Sequence, residues 1–177
     1  MQKPASGPRV GFMVAGGGEA VTFTDLAALG GLALPELQKD TQELISQKIS
    51  AVNTSTPNPV DLGMFGLDFN VMSHTIMAMA QDDCIDVIIP FLSVDFISTF
   101  QRDQIEDGPG IIIEAAKKAK KPVIPVLSTC SQDNIDIEKT RISMFSSFRD
   151  AGLPVFATTQ DCIYSISKYL EWVGKHR

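Results

Sequence analysis

Residues 9–31 read RVGFMVAGGGEAVTFTDLAALGG, and their reading decides the class of fold. Val10 to Val14 is a short, almost wholly apolar run, the pattern of a strand buried on both faces. Ala15-Gly16-Gly17-Gly18 follows at once. From Glu19 to Leu29 no proline or glycine interrupts helical spacing, and Gly30-Gly31 supplies a residue able to take positive φ and stop the helix. The unit is therefore strand, glycine turn, helix.

A helix N-terminus exposes unpaired N–H groups and carries roughly half a positive charge, so a glycine turn that admits an anion to those amides makes a phosphate site. Gly16, Gly17, Gly18, Glu19 and Ala20 are the candidate phosphate-binding residues, through their backbone. The run is neither a GxGxxG fingerprint nor a P-loop, and no lysine follows it. Two readings stand at this point: a bare tight turn, or an anion site.

Outward from this unit the alternation continues. Leu32-Ala33-Leu34 reads as a second strand ended by Pro35, and Asp40 with Glu43 resembles a capping box opening a helix to about Ser50. Asn53 to Gly63 is a rigid, turn-rich loop with two prolines. Leu67 to Gln81 has one apolar helical face, and Ile85 to Leu92 is a third buried strand. Ser93 to Gly110 is the longest irregular stretch, either a lid or a packed surface loop, with Phe96, Ile97 and Phe100 giving it a partly helical apolar side before Asp107-Gly108-Pro109-Gly110 breaks it. A helix over Ile111 to Lys120, a strand over Val123 to Leu127, a helix over Asp136 to Asp150, a strand over Val155 to Ala157 and a last helix complete the chain.

Short strands alternating with helices predict a three-layer α/β/α fold with a five-stranded parallel sheet in flavodoxin-like order, the first strand central. Ligands of such sheets collect at the C-terminal ends of the strands. That edge holds the Gly16 turn and the site-edge candidates Asn58, Pro59, Asp61, Ser93 and Ser128. Asp61 either caps backbone amides or faces the site. Cys130, after the fourth strand, is either an inert thiol or one polarised by the next helix. Lys117, Lys118 and Lys120 form either a solvated face or a partner site.

With 44% hydrophobic and 20% charged residues, a chain of 177 residues has enough apolar material for one core, so residues 9–177 read as a single domain behind a linker at 1–8. A net charge of −6 argues against nucleic acid or an anionic membrane as partner. Cys84, Cys130 and Cys162 are odd in number, far apart and without metal-ligand spacing, which suits free thiols, a reducing compartment and a cytoplasmic protein without bound metal.

The motifs RVGFMVAGGGEAVTFTDL, NPVDL (Asn58 to Leu62), CIDVIIPF, KKPVIPVLS and AGLPVFATTQDCIYSISKYLEW occur in an order and spacing that resembles the C-terminal CoA-ligase domain of NDP-forming acyl-CoA synthetases, relatives of succinyl-CoA synthetase. The resemblance runs from about Arg9 to Val173. It implies that the first helix acts as a "power helix", whose N-terminal amides hold the phosphate of a phosphohistidine, with Gly16, Gly17, Gly18 and Ala20 at the matching small positions and Asp25 at an acidic one. Ala15 stands where asparagine is common, and Glu19 puts a carboxylate beside the phosphate position, where it either satisfies the helix dipole or repels an anion.

Ser73-His74-Thr75 is similar to the phosphorylated loop of such synthetases, but Ile76 replaces its glycine, and helical spacing makes His74 an exposed surface histidine. No residue is assigned a catalytic role. The resemblance implies a fragment or small subunit whose partners are CoA-binding and ATP-grasp domains or subunits, with a homo-oligomer also open. It binds no cofactor alone; CoA, phosphate and magnesium nucleotide belong to the assembled enzyme. The contrasting expectation is a non-catalytic flavodoxin-like module for assembly or anion sensing.

Overall fold

The computed structural model describes residues 3–131 and 133–176. β1 (Val10–Val14) is buried along its whole length, and the turn after it delivers the chain into α1 (Gly17–Leu29). There follow α2 (Lys39–Ser46), β2 (Val60–Asp61), a 3-10 turn (Gly63–Leu67), α3 (Phe69–Gln81), β3 (Val87–Ser93), α4 (Val94–Phe100), a second 3-10 turn (Arg102–Gln104), α5 (Gly108–Lys118), β4 (Val126–Ser128), α6 (Ile135–Asp150) and α7 (Thr159–Lys175). The sheet is parallel throughout, in the order β2-β1-β3-β4, with β1 and β3 in the middle.

The α/β class, the parallel sheet and the position of β1 follow the sequence reading; the strand count does not. Four strands form where five were expected, and one of the four is new. Leu32 to Leu34 contributes a single bridge, Ala33 to Arg9, because Gly30 and Gly31 precede it and Pro35, with no N–H, follows. Further along the same edge of β1, Val60 pairs with Met13 and makes β2 from the stretch expected to be loop. Val155 to Ala157 likewise shrinks to the bridge from Phe156 to Val126. Pro90 and Pro125 have no N–H for the ladder between β3 and β4, so the expected fourth strand divides into a bridge at Val123 and β4 proper.

Alternating strand residues supply two separate cores. Met13, Ile88, Leu92 and Leu127 join the apolar faces of α2, α3, α5 and α6, including Ile45, Met72, Ile76, Ile112 and Phe148. Val10, Phe12, Val14, Ile89 and Val126 join Phe23 and Ala27 of α1 and Cys162, Ile163 and Ile166 of α7. Phe12 stacks on Phe23 with ring centroids 3.7 Å apart and meets Phe91 edge-on at 6.2 Å. Full burial of such a ring contributes roughly 2–3 kcal/mol, so Phe12 fastens α1 to the strand that delivers it.

Two helical stretches differ from the sequence reading. α2 begins at Lys39 behind Gln38, whose amide donates to the buried Asp82 carboxylate at 2.8 Å, so the capping box at Asp40 does not form. The stretch from Ser93 to Gly110 is largely helical: α4 packs on Val94, Ile97 and Ser98, and Pro109 lies in the first turn of α5, where its missing N–H costs nothing. In residues 3–8, Lys3 donates to the Lys117 carbonyl and Ser6 to Asp86. Arg9 holds Asp86 through two guanidinium bonds of 2.9 and 2.7 Å at the N-terminal end of the sheet.

Candidate functional site

The C-terminal edge of the sheet gathers the turns at Gly16, Asp61, Ser93 and Ser128 and the start of α7. Gly16 is the N-cap of α1 with φ 140° and ψ 132°, a conformation closed to side chains other than hydrogen. Gly17 and Gly18 are exposed, and a Cβ at Gly16 or Gly18 would meet nothing within 4 Å. A Cβ at Gly17 would lie 3.3 Å from Asp61 Oδ2, so the helix end is open to solvent on one side and has a carboxylate oxygen beside it on the other. In helix geometry the N-cap carbonyl takes the amide four residues on, so Ala20 spends its N–H inside the helix; Gly17, Gly18 and Glu19 carry the open donors. Ala20 is half-buried in the first turn of α1.

Asp61 resolves in favour of capping. Its Oδ1 accepts the amides of Gly16 and Gly63, both at 2.9 Å, tying the glycine turn to the end of β2. Asn58 works one level below. Its Oδ1 accepts the Phe12 amide at 3.0 Å, while Nδ2 donates to the carbonyls of Val10 at 2.6 Å and Pro35 at 3.0 Å. Pro59, joined to Asn58 by a cis peptide, turns the chain from this contact into β2. Gly66 seats the 3-10 turn against the same place, since a Cβ there would lie 3.0 Å from the Ala15 Cβ.

Glu19 turns sideways. Its Oε1 accepts a hydrogen bond of 2.9 Å from the hydroxyl of Thr159, a 4% exposed residue at the start of α7. Ser93 is buried at the last register position of β3, opposite the half-buried Ser128 of β4. The loop after Ser128 is fixed by Asp95 of α4, whose two carboxylate oxygens accept the amides of Cys130 at 2.8 Å and Ser131 at 2.9 Å. Burial pushes the Asp95 carboxyl up, but the bonds from Ser131 and Cys130 outweigh it and hold the group below the usual carboxylate range. Neither Asp95 nor Thr159 was legible as a site residue, because the partner of each lies far along the chain.

The turns 15–18, 58–63, 93–95, 128–131 and 157–159 contain no lysine or arginine, so the nearest positive groups within these turns are backbone N–H dipoles. Around it stands an exposed apolar rim of Met64, Phe65, Phe96 and Phe100, the last two rings stacked with centroids 6.4 Å apart. An apolar groove of about 330 Å³, lined by Pro122, Ile124, Pro154, Phe156 and Tyr169, lies against α7 and away from the glycine turn.

His74 is corrected from an exposed histidine to a half-buried one: its Nε2 donates to the Leu44 carbonyl at 2.7 Å, joining α3 to α2 away from the strand ends. Cys130 is exposed, Cys84 is half-buried and Cys162 is buried. Lys117 pairs with Glu114 on the solvent side of α5. Among the described residues no cluster of three or more His, Cys, Asp or Glu is placed to hold a metal, and no helix is long and apolar enough to cross a membrane.

A four-stranded parallel sheet between helices, with turns and helix ends at its C-terminal edge, is a flavodoxin-like fold. Three solved structures share it at full length. PH0766 from Pyrococcus horikoshii OT3 superposes over 96% of this chain with a TM-score of 0.77 at 22% identity. The dinucleotide forming acetyl-coenzyme A synthetase 1 of Ca. Korarchaeum cryptofilum does so over 97% in its apo form (TM-score 0.70, 17% identity) and in complex with phosphate and ADP (TM-score 0.71, 16% identity). This chain spans only 37%, 35% and 34% of the length of those three chains. No family model and no curated protein matches the sequence.

Proposed function

We propose that the chain is a domain or small subunit of an NDP-forming acyl-CoA synthetase, and that it presents the amides of Gly17, Gly18 and Glu19 to a phosphoryl group carried by another part of the complex. The observation that carries this reading is the pairing of full-length fold similarity with partial coverage. Almost all of this chain superposes on about a third of an acetyl-CoA synthetase, so the rest of such an enzyme corresponds to other modules. CoA-binding and ATP-grasp partners, in the cytoplasm, would supply those modules, and CoA, phosphate and magnesium nucleotide would bind in the assembly.

The chemistry left to this chain is electrostatic. Backbone donors that are fixed before the reaction cost no reorganisation, and each such donor is typically worth about 3 kcal/mol of transition-state stabilisation. Asp61 spends the Gly16 amide and leaves the next ones open, while Ala15 and Gly66 lock the turn from behind. The Asp61 and Glu19 carboxylates at the same helix end favour the assembly form of the second reading, a non-catalytic assembly or anion-sensing module, because they already supply negative charge near its dipole.

A CoA-release assay with ADP, phosphate and a panel of acyl-CoAs separates the two. Under the synthetase reading the purified chain is silent, and phosphate-dependent release appears when partner subunits encoded beside it are added. Silence of every reconstituted assembly, with the partners folded and bound, would leave only the non-catalytic module; turnover by the chain alone contradicts both.

A further inference from the structure

We propose that Thr159 is a positioning residue: it holds the Glu19 carboxylate off the open amides of α1 and so sets how strongly that helix end attracts an anion. The proposal rests on the reading of α1 given above. Glu19 is the third helical residue after the Gly16 cap. A glutamate at that position ordinarily reaches back to the amide of the cap residue, in the arrangement called a capping box. In this chain that amide is already given to Asp61 Oδ1 at 2.9 Å. Glu19 Oε1 instead accepts from Thr159 Oγ1 at 2.9 Å, from a residue 140 positions along the chain.

The donor is well placed for the task. Thr159 is 4% exposed and opens α7, directly behind Thr158, whose side chain caps that helix on the Asp161 amide. Burial and the cap fix the backbone and rotamer of Thr159, so the hydroxyl is a fixed point and the longer Glu19 side chain is the movable partner. Without the hydroxyl, the donors within reach of a glutamate at this position are the amides of its own first turn, at Gly17 and Gly18. The field that draws a phosphate to those amides draws this carboxylate too, and the two compete.

The test follows the backbone amides of the full chain by NMR, with inorganic phosphate as the probe. In the absence of phosphate, Thr159→Val moves the resonances of Gly16 to Glu19. Thr159→Ser leaves them in place, and in Thr159→Val with Glu19→Gln they match Glu19→Gln alone. Unmoved amides in Thr159→Val overturn the proposal, whatever phosphate does; Thr159→Ala gives the same readout should the valine variant fail to fold. With phosphate added, Thr159→Val weakens binding about two- to fivefold, the range for a charge at a helix end, and Glu19→Gln removes that loss. Equal affinity in the native chain and Thr159→Val also overturns it. Should the amides move as stated while phosphate leaves all five proteins unperturbed, the positioning role stands and the anion reading of α1 falls.

Discussion

The carboxamide of Asn58 completes the edge of β1 beside Phe12: Oδ1 accepts the Phe12 amide at 3.0 Å, and Nδ2 donates to the Val10 carbonyl at 2.6 Å. It fills the gap in the ladder between the bridge at Ala33 and the start of β2, where no strand runs. Asn58→Leu leaves both β1 groups buried without partners, at a cost of about 2–4 kcal/mol in total. Urea unfolding measures it; a loss under 1 kcal/mol would mean that water replaces the carboxamide.

Asp61 couples two turns with one oxygen, so the shape of its side chain matters more than its charge. Asp61→Asn keeps an acceptor at Oδ1 and retains most of the stability. Asp61→Ala frees the Gly16 and Gly63 amides, costs about 1–3 kcal/mol, and shifts the amide resonances of Gly16 to Gly18. Equal stability of the two variants would refute the account of Asp61 as a double cap.

The layout of the fold was readable because it rests on local signals. The apolar run of β1, the glycines behind it and the 3.6-residue periodicity of α3 and α7 each act within a few residues. What escaped depends on distant partners. Ala33 and Val60 compete for one edge of β1, and nothing within Leu32 to Leu34 states that Asn58 will take the middle of that edge. Pro109 read as a breaker because a proline that ends one segment and a proline that opens a helix look alike from the sequence. At the site, Gly16 and Asp61 were visible as turn chemistry. Thr159 and Asp95 were not, since a hydroxyl or carboxylate announces no partner across 140 or 35 positions.

Asp86 ties acid stability to the N-terminal end of the sheet. The bond from the Arg9 guanidinium holds its carboxyl below the usual range, against the opposing effect of burial, with help from the Arg9 amide and Ser6. A carboxyl whose folded pKa is depressed contributes stability that is present above its unfolded pKa of about 3.9 and is lost as pH falls through the folded value. Asp86→Asn is therefore less stable than the native chain at pH 7, and its stability falls less steeply below about pH 4. Parallel acid limbs in the two proteins would show that the pair carries no linkage.

The three cysteines should separate by reactivity, in an order set by burial. Cys130 is exposed and alkylates first. Cys84 follows, its thiol pushed up by burial and then by the neighbouring Asp82. Cys162, whose burial raises the thiol to about 12, reacts only when the chain unfolds. Iodoacetamide labelling at pH 8 followed by mass spectrometry reads the order, and early modification of Cys162 would place α7 in exchange with an open form.

His74 is the last test, because the Ser-His-Thr stretch is similar to a phosphorylated loop yet lies within helix α3. A phosphoryl acceptor needs a nitrogen lone pair free at a mobile site. Here Nε2 points its proton at the Leu44 carbonyl, 2.7 Å away, which leaves only Nδ1 with a lone pair, on a ring half-buried in the body of helix α3 and tied to α2. Its work is structural, and His74→Ala should cost about 1 kcal/mol, the value of one hydrogen bond with its carbonyl left partly wet. In an assembly that releases CoA, the variant should retain the native rate once corrected for the folded fraction. A loss of phosphate-dependent turnover of a hundredfold or so in a folded His74→Ala protein, the scale on which removal of a general acid or base is felt, would make His74 a catalytic group.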